Sequence, residues 1–542
     1  MNQDNGYILV LGAGLMQLPA IEAVKELGYK ALVIDADPSA VCVHAADRFE
    51  NIDLKDREKI AELALSLCSS LKAVFTAGTD FSASVAYAAE KCSLPGHSYE
   101  ACLNASNKVR MRKCFETAGV PSPSFMQITR GSIAQFLSEG KLEEMTFPKV
   151  IKPSDNMGAR GCRLIRSKKE FLPAVEDAVR NSRTASSILE DYMEGPEFSI
   201  DALVYDGTFT ITGFADRHIF FSPYFIELGH TMPSAVAEEK KTELIKTFAR
   251  AVKALGLTRG AAKADIKFTA SGPMIGEVAA RLSGGYMSGW TYPYSSGLNL
   301  TKEALKLSLG LNPDELEKRR VPVNGITDGD FKIYEVPSEK VSAERAWISI
   351  PGTISTVNQV NKIESLPFVK NVFFRNHEGD HVDFPRNNVS KCGNAISVSA
   401  DYSLAVKAAE YAVSNMVLRL LPDCQETEIF LNGYERPDEE GFPYSAFSLS
   451  DTQKLTLEHF SESNPKLRSS SLGSVFESEV SSDILNLKDF NHRTVSETLR
   501  IFGLFSDPEM EFDTAEFCKA LIRGGIQGIL YLADCKVSNR LK

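Results

Sequence analysis

Residues 261–285 read AAKADIKFTASGPMIGEVAARLSGG, with alternating character on either side of Ser271-Gly272-Pro273. Alternation broken by such a cluster predicts two short strands joined by a turn. A hairpin centred on Ser271 places Asp265 opposite Glu277, because the two positions are symmetric about that centre. Opposed side chains in an antiparallel pair have Cβ atoms about 5 Å apart, and two carboxylates at that distance repel unless a cation lies between them. A hard divalent ion fits, Mg²⁺ first and Mn²⁺ as its substitute. The period of two also puts Arg281 on the face of Glu277, with Ala279 between them. Ser283, Gly284 and Gly285 then supply small residues whose backbone N–H groups can approach an anionic substrate closely.

Upstream stretches add to this patch. FPKVIKP (147–153) is a strand in which Val150 and Lys152 share one face, and Lys149 and Ile151 the other. It empties into a loop with Gly158, Arg160 and Gly161, able to fold over phosphates. EDYMEGPE (190–197) runs from an apolar strand through Glu190, Asp191 and Met193 to a Gly-Pro break. Exposed backbone there can offer a carbonyl and an N–H to an adenine edge, and Glu197 can accept from ribose hydroxyls. A helix from about Asn104 has its buried stripe at Met111, Cys114, Phe115 and Ala118, with Lys108 one turn before it on the same side.

The N-terminal region reads strand, glycine turn, helix, strand: 7–11, Gly12-Ala13-Gly14-Leu15-Met16-Gln17, an amphipathic stretch, then 31–35. That order implies a parallel sheet. A dinucleotide fold would place a glycine at Gln17, although Asp35 stands near where a ribose-binding acid belongs, so NAD is a weak vote. The sheet continues through 73–75 to the polar turn Thr79-Asp80-Phe81-Ser82, which is expected at an edge of the active site.

With 542 residues the chain is too long for one core. Its 43% apolar and 24% charged residues are those of an ordinary soluble protein, and a net charge of −11 argues against a nucleic-acid surface. The ten cysteines form no C-x-x-C pair, which fits reduced thiols in a cytoplasmic protein. A polar MNQDNGY start carries no signal-peptide pattern, and no membrane span is expected.

Taken in order, these motifs resemble the ATP-grasp ligases over roughly residues 1–420, with E-x-A-A-R and its small-residue turn similar to the L-amino-acid ligase branch. Carbamoyl-phosphate-synthetase-like carboxylate–amine ligases are the neighbouring branch. The resemblance implies an α/β (α+β) architecture: a Rossmann-like domain at 1–97, an ATP-grasp domain at 98–315 with its lid at about 122–190, a C-terminal ligase-type α+β domain at 316–422, and an appendage at 423–542. It further implies that Lys108 and Lys152 hold the ATP phosphates under the Gly158–Gly161 loop with Arg160. Asp191 and Met193 would form the backbone hinge for adenine, with Glu190 among the nucleotide-binding residues beside them, and Glu197 the ribose ligand. Asp265 and Glu277 would hold Mg²⁺, and Arg281, with Lys152, would steady the transferred phosphoryl group. Many members carry an asparagine where this chain has Ala279, which bears on the second metal. Glu227 and His230, on a segment that lines the acceptor pocket in the family, are candidates for holding substrate or a second metal.

The activity implied is ATP- and Mg²⁺-dependent ligation of a carboxylate to an amine or thiol through an acylphosphate, with small-molecule substrates. A bicarbonate-using carboxylase or carbamoyl-phosphate-type enzyme is the nearer alternative, and a non-catalytic ATP-binding scaffold the farther one. In the third segment, turns are expected at Pro351-Gly352 and Gly379-Asp380, and a helix over about 403–420. Residues 461–482, rich in serine, read as a linker or mobile loop. The pieces that follow, with GGIQGILYL at 524–532, read as a small unit or a surface for a partner protein; a homo-oligomer is compatible with all of this.

Overall fold

Two consecutive runs of apolar residues near the N-terminus, Tyr7–Leu11 and Lys30–Asp35, are buried on both faces because alternate residues enter different cores. Ile8, Val10, Ala31 and Val33 face one, while Leu9, Leu11, Leu32 and Ile34 face the other. Such strands belong in a parallel sheet covered on both sides. The computed structural model, which describes residues 6–323, 331–433 and 444–541, with side chains to 538, gives that sheet as four parallel strands: Arg48–Asn51, Lys30–Asp35, Tyr7–Leu11 and Leu71–Phe75. The polar N-terminal MNQDN lies outside the described residues.

The glycine turn after the first strand is filled from within. Gln17 is buried and donates from Nε2 to Ala77 O at 2.5 Å, and a Cβ at Gly12 would lie 3.0 Å from the Gln17 side chain. Asp35 accepts from the amides of Ala13 (2.8 Å) and Asp37 (3.0 Å). The carboxylate expected near a ribose is therefore spent on its own turn, and the dinucleotide reading is corrected.

The chain divides into two compact units, 1–218 with 230–343 and 398–401, and 219–229 with 344–397 and 402–542. In the first unit the sheet above is followed by two antiparallel layers. Phe125–Thr129, Ser186–Asp191, Lys149–Pro153 and Arg163–Ile165 form a sheet packed on the helix Lys168–Arg180. Gly272–Ala279, Gly260–Thr269, Glu197–Tyr205 and Thr208–Phe220 lie side by side over the helix Glu238–Leu255. The helix expected from Asn104 is two helices, Tyr99–Ser106 and Lys108–Ala118. Asn107 has extended backbone between them and caps the second by accepting from Val109 N and Arg110 N. Met111 and Phe115 are buried as expected, whereas Ala118 is exposed.

The second unit corrects three readings. The helix expected to Leu420 stops at Ser414, and Met416–Leu420 pairs antiparallel with Gly352–Gln359. Residues 461–482 are not a linker: the helices Asp451–Ser463 and Ser469–Glu479 carry Phe460, Leu472 and Phe476 into the core. Three buried apolar positions at helical spacing, Leu472, Phe476 and Val480, with the partly buried Val475, outweigh the serine content. Residues 423–542 are not an appendage either, since one core runs from Ile348 and Leu420 to Phe476 and Leu530. Buried polar side chains stitch the two parts together. Asn491 exchanges hydrogen bonds with the backbone of Ile348 (3.0 Å each way), and Gln527 accepts from Ile350 N (3.2 Å). Gly524 to Leu532 lies in the kinked helix Thr514–Leu541, which turns at Gly525.

The ten cysteines are unbridged, and among the described residues no helix is long and apolar enough to cross a membrane. If residues 461–482 are core, Phe476→Ala should lower the stability of the full chain by about 3–5 kcal/mol in denaturant titration. A linker residue at this position would change it by less than about 0.5 kcal/mol.

Candidate active site

The hairpin pairs Asp265 with Glu277, though not through a turn centred on Ser271. Thr269 opposes Gly272, Phe268 opposes Pro273 and Ile266 opposes Ile275, so the centre lies one half-residue earlier. A bulge at Gly276 then restores the Asp265–Glu277 register. A glycine is needed there: a Cβ would come within 3.0 Å of Asp265 O, and the Gly276 carbonyl accepts from Arg112 Nη2 at 2.6 Å.

Arg112 was not legible as a site residue. It is wholly buried on the helix Lys108–Ala118, and its Nε donates to Glu190 Oε1 at 2.8 Å. Glu190 Oε2 pairs with Lys152 at 2.7 Å. Burial pushes the Glu190 carboxyl up, but the guanidinium and ammonium together hold it below its usual value, and Glu190 holds Lys152 above its own against the same burial. Glu190 is thus not an exposed hinge group; its side chain places Lys152.

Lys108 leaves the same helix one turn earlier and donates to Asn156 O (2.9 Å) and Glu277 Oε1 (3.3 Å). Burial raises the Glu277 carboxyl and Lys108, then Lys263, outweigh it, leaving it lowered. Lys152 acts on Glu277 in the same direction, more weakly. The glycine loop has Gly158, Ala159 and Gly161 at positive φ, with Arg160 between the last two. Cys162 sits beside both lysines and both glutamates, and burial holds its thiol up at about 11.

The hinge is less open than expected. Asp191 donates its amide to Ser124 O (3.1 Å) and pairs its carboxylate with Lys149, while Met193 O accepts from Lys267 Nζ at 3.1 Å. Glu197 pairs with Arg217 and, at 3.4 Å, with Lys267. Asp265 pairs with Lys263 (2.5 Å) and Arg217 (3.2 Å). Two carboxylates face each other here, and among the described residues no group of three or more His, Cys, Asp or Glu could hold a metal ion by itself.

The ladder ends at Ala279, so Arg281 is placed by the bend that follows and not by strand alternation. Its Nη1 donates to Leu282 O (3.0 Å), and its Nε, 3.8 Å from Asp80, is buried with no hydrogen-bond partner among the described residues. Asp80 brings the expected edge, the Thr79–Ser82 turn, to the site. The anion met by Ser283 is the chain's own: its amide (2.9 Å) and hydroxyl both donate to Asp201, and its carbonyl accepts from Ser288. The Ser283 backbone N–H, expected to meet a substrate anion, is thus taken by Asp201, and Gly284, backed by the Gly78 carbonyl, carries the turn onward to Gly285. Burial raises the Asp201 carboxyl to about 6 against the pull of Ser283, Lys263 and Arg281.

Glu227 and His230 lie on the strand Ile226–Met232. Glu227 belongs to the second unit, where Asn388 accepts its amide (2.8 Å) and Lys391 donates to its carbonyl (2.9 Å). His230 is wholly buried in the first unit. Among the described residues neither joins a group of three or more His, Cys, Asp or Glu, so the second-metal role finds no support there.

Residues 145–289, which hold this site apart from Asp80, Lys108 and Arg112, match the ATP-grasp domain family. The chain carries an ATP-grasp domain. Residues 346–420 match the L-amino acid ligase C-terminal domain 2. The chain is 23% identical over 410 residues to an uncharacterised protein of Sinorhizobium fredii, covering 74% of this chain and 80% of that one. It is 22% identical over 335 residues to mouse carnosine synthase 1, covering 57% of this chain but only 40% of the mouse protein. The L-amino acid ligase of Bacillus licheniformis shares its fold, with a TM-score of 0.64 at 20% identity over 77% of this chain and 99% of that one. The ATP-grasp chain is thus a homologue of ligases.

Two outcomes follow from the buried charges of this ATP-grasp site. Arg112→Met should cost about 3–5 kcal/mol in denaturant unfolding, because Glu190 loses one of two compensating cations while still buried. Asp201, with its folded value raised, contributes stability that is complete below about pH 4 and is lost as pH rises through about 6. Asp201→Asn removes this dependence, so its stability relative to wild type should rise by up to about 3 kcal/mol from pH 4 to 7. A flat difference across that range would show that Asp201 does not titrate there.

Proposed function

We propose that this protein is an ATP- and Mg²⁺-dependent carboxylate–amine ligase that passes the γ-phosphoryl group of ATP to a small carboxylate and releases ADP and phosphate as an amine displaces it. The observation that carries the reading is Lys108 on Glu277 opposite Asp265, with Lys152 held from a separate sheet by the buried Glu190. The ligase homologues and the match to an L-amino acid ligase C-terminal domain support small carboxylate and amine substrates.

The residues present fit the groups implied. The Arg281 Nε, buried without an acceptor among the described residues, suits a phosphoryl oxygen. Glu277, with Asp265 opposite it, offers hard oxygen donors for Mg²⁺, which when bound would neutralise charge on the phosphates. Lys108 and Lys152 bind and orient the polyphosphate, and the Gly158–Gly161 loop with Arg160 closes over it and excludes water. Met193 and Glu197 line the nucleoside end, while Arg281 and the Gly284-Gly285 backbone face the acyl group. The acyl oxygen leaves with the transferred phosphoryl group when the amine attacks, so no residue is required as nucleophile.

The test is ADP release from Mg-ATP with pooled amino acids, small carboxylates or bicarbonate. Stimulation by one organic pool is expected, with Lys152→Ala and Glu277→Gln each lowering turnover by about 10²–10³-fold. Full activity in Glu277→Gln would remove the metal assignment. Stimulation by bicarbonate alone would select the carboxylating alternative.

A further inference from the structure

Lys263 and Ala279 are partners across the hairpin, as are Asp265 and Glu277 two positions along it. Alternation puts all four on one face, at the corners of a small quadrilateral. The Lys263 side chain is buried, and its ammonium lies 2.5 Å from Asp265 Oδ2. The same oxygen is 3.2 Å from Arg217 Nη1, and Ser199 Oγ donates to the other at 3.3 Å. Asp265 is committed on both oxygens.

The other side of the face differs. Glu277 keeps 31% of its side chain exposed, and Lys108 at 3.3 Å is its ion partner among the described residues. Ala279 contributes a methyl group, with no donor atom for a metal. A larger amide at 279 would project toward Lys263, since directly opposed side chains stand about 5 Å apart. The small residue and the long cation therefore belong together.

We propose that Lys263 supplies one of the two cations this face can hold, so that the loaded site takes a single divalent ion, on the Glu277 side. An ammonium at hydrogen-bond distance and a divalent ion at roughly 2.1 Å compete for the same carboxylate lone pairs. The ammonium is tethered and buried, so it stays. This rests on the ligase reading only in taking a nucleotide to complete the ion's ligands.

The experiment counts manganese by electron paramagnetic resonance in the full chain saturated with a non-hydrolysable ATP analogue, whose binding is followed separately by calorimetry. Wild type should hold about one Mn²⁺ per chain, and Lys263→Ala about two, as the closer of the two cations on Asp265 Oδ2 is removed and Arg217 alone remains there. Lys263→Met, which keeps the stem's bulk, gives the same reading where truncation impairs folding. Two ions in wild type, or no gain in either folded variant, overturns the inference. Nucleotide bound with no manganese overturns both it and the metal assignment; absence of nucleotide binding in wild type overturns the ligase reading instead.

Discussion

The carboxylate of Glu190 is the point on which the first unit's site depends. It is buried between Arg112 and Lys152, and a carboxylate in that environment needs a cation held beside it, a part that the wholly buried Arg112 can fill by itself. Arg112 rises from the helix that also begins with Lys108, and its second hydrogen bond goes to the bulge carbonyl of Gly276. Three elements distant in sequence are therefore registered by one guanidinium: the helix 108–118, the strand Ser186–Asp191 that carries Glu190, and the hairpin that carries Asp265 and Glu277. A packed apolar contact would tolerate a shift of several tenths of an ångström; directional hydrogen bonds from one planar guanidinium to two partners do so less readily.

Parts of this were legible in the sequence for physical reasons. The N-terminal strands announce themselves as doubly buried runs, and the paired acids as positions symmetric about a turn. The pairing is nevertheless reached through a compensating irregularity: the turn is shorter than expected and Gly276 adds the missing residue. A bulge changes register by one without changing composition, so alternation alone could not reveal it. Arg112 escaped notice because a lone arginine in a helix reads as a solvated charge, and only the fold supplies the buried glutamate that pairs with it. Asp201 escaped for the same reason, sitting mid-strand in an apolar run where it meets Ser283 from 82 residues away.

The serine-rich segment shows the opposite failure. Composition averaged over residues 461–482 describes a chain that avoids burial, yet Leu472, Phe476 and Val480 recur at helical spacing and bury fully against residues from other elements. Burial energy is set by a few large side chains on one stripe, whereas composition counts every exposed serine equally. The stop of the third segment's helix at Ser414 is a related case. Met416 to Leu420 has apolar character suited to either period, and the neighbouring strand Gly352–Gln359, which offers a backbone ladder, decides for the extended form.

Each cation assigned to the phosphates stands against an acid of the same site before any nucleotide arrives: Lys108 against Glu277, Lys152 against Glu190, Arg281 near Asp80. In the proposed reaction, nucleotide binding is then an exchange of partners. Glu190 keeps Arg112 when Lys152 turns to a phosphate, so that exchange strands no buried charge. Glu277 has no second cation of comparable closeness, and drawing Lys108 away leaves a partly exposed carboxylate in need of one. Under the proposed reading, Glu277 is the carboxylate that would then be open to a divalent ion bound with the nucleotide. The asymmetry between two glutamates, one buried with two cationic partners, the other partly exposed with one, separates the residue that holds the fold from the residue proposed for the metal.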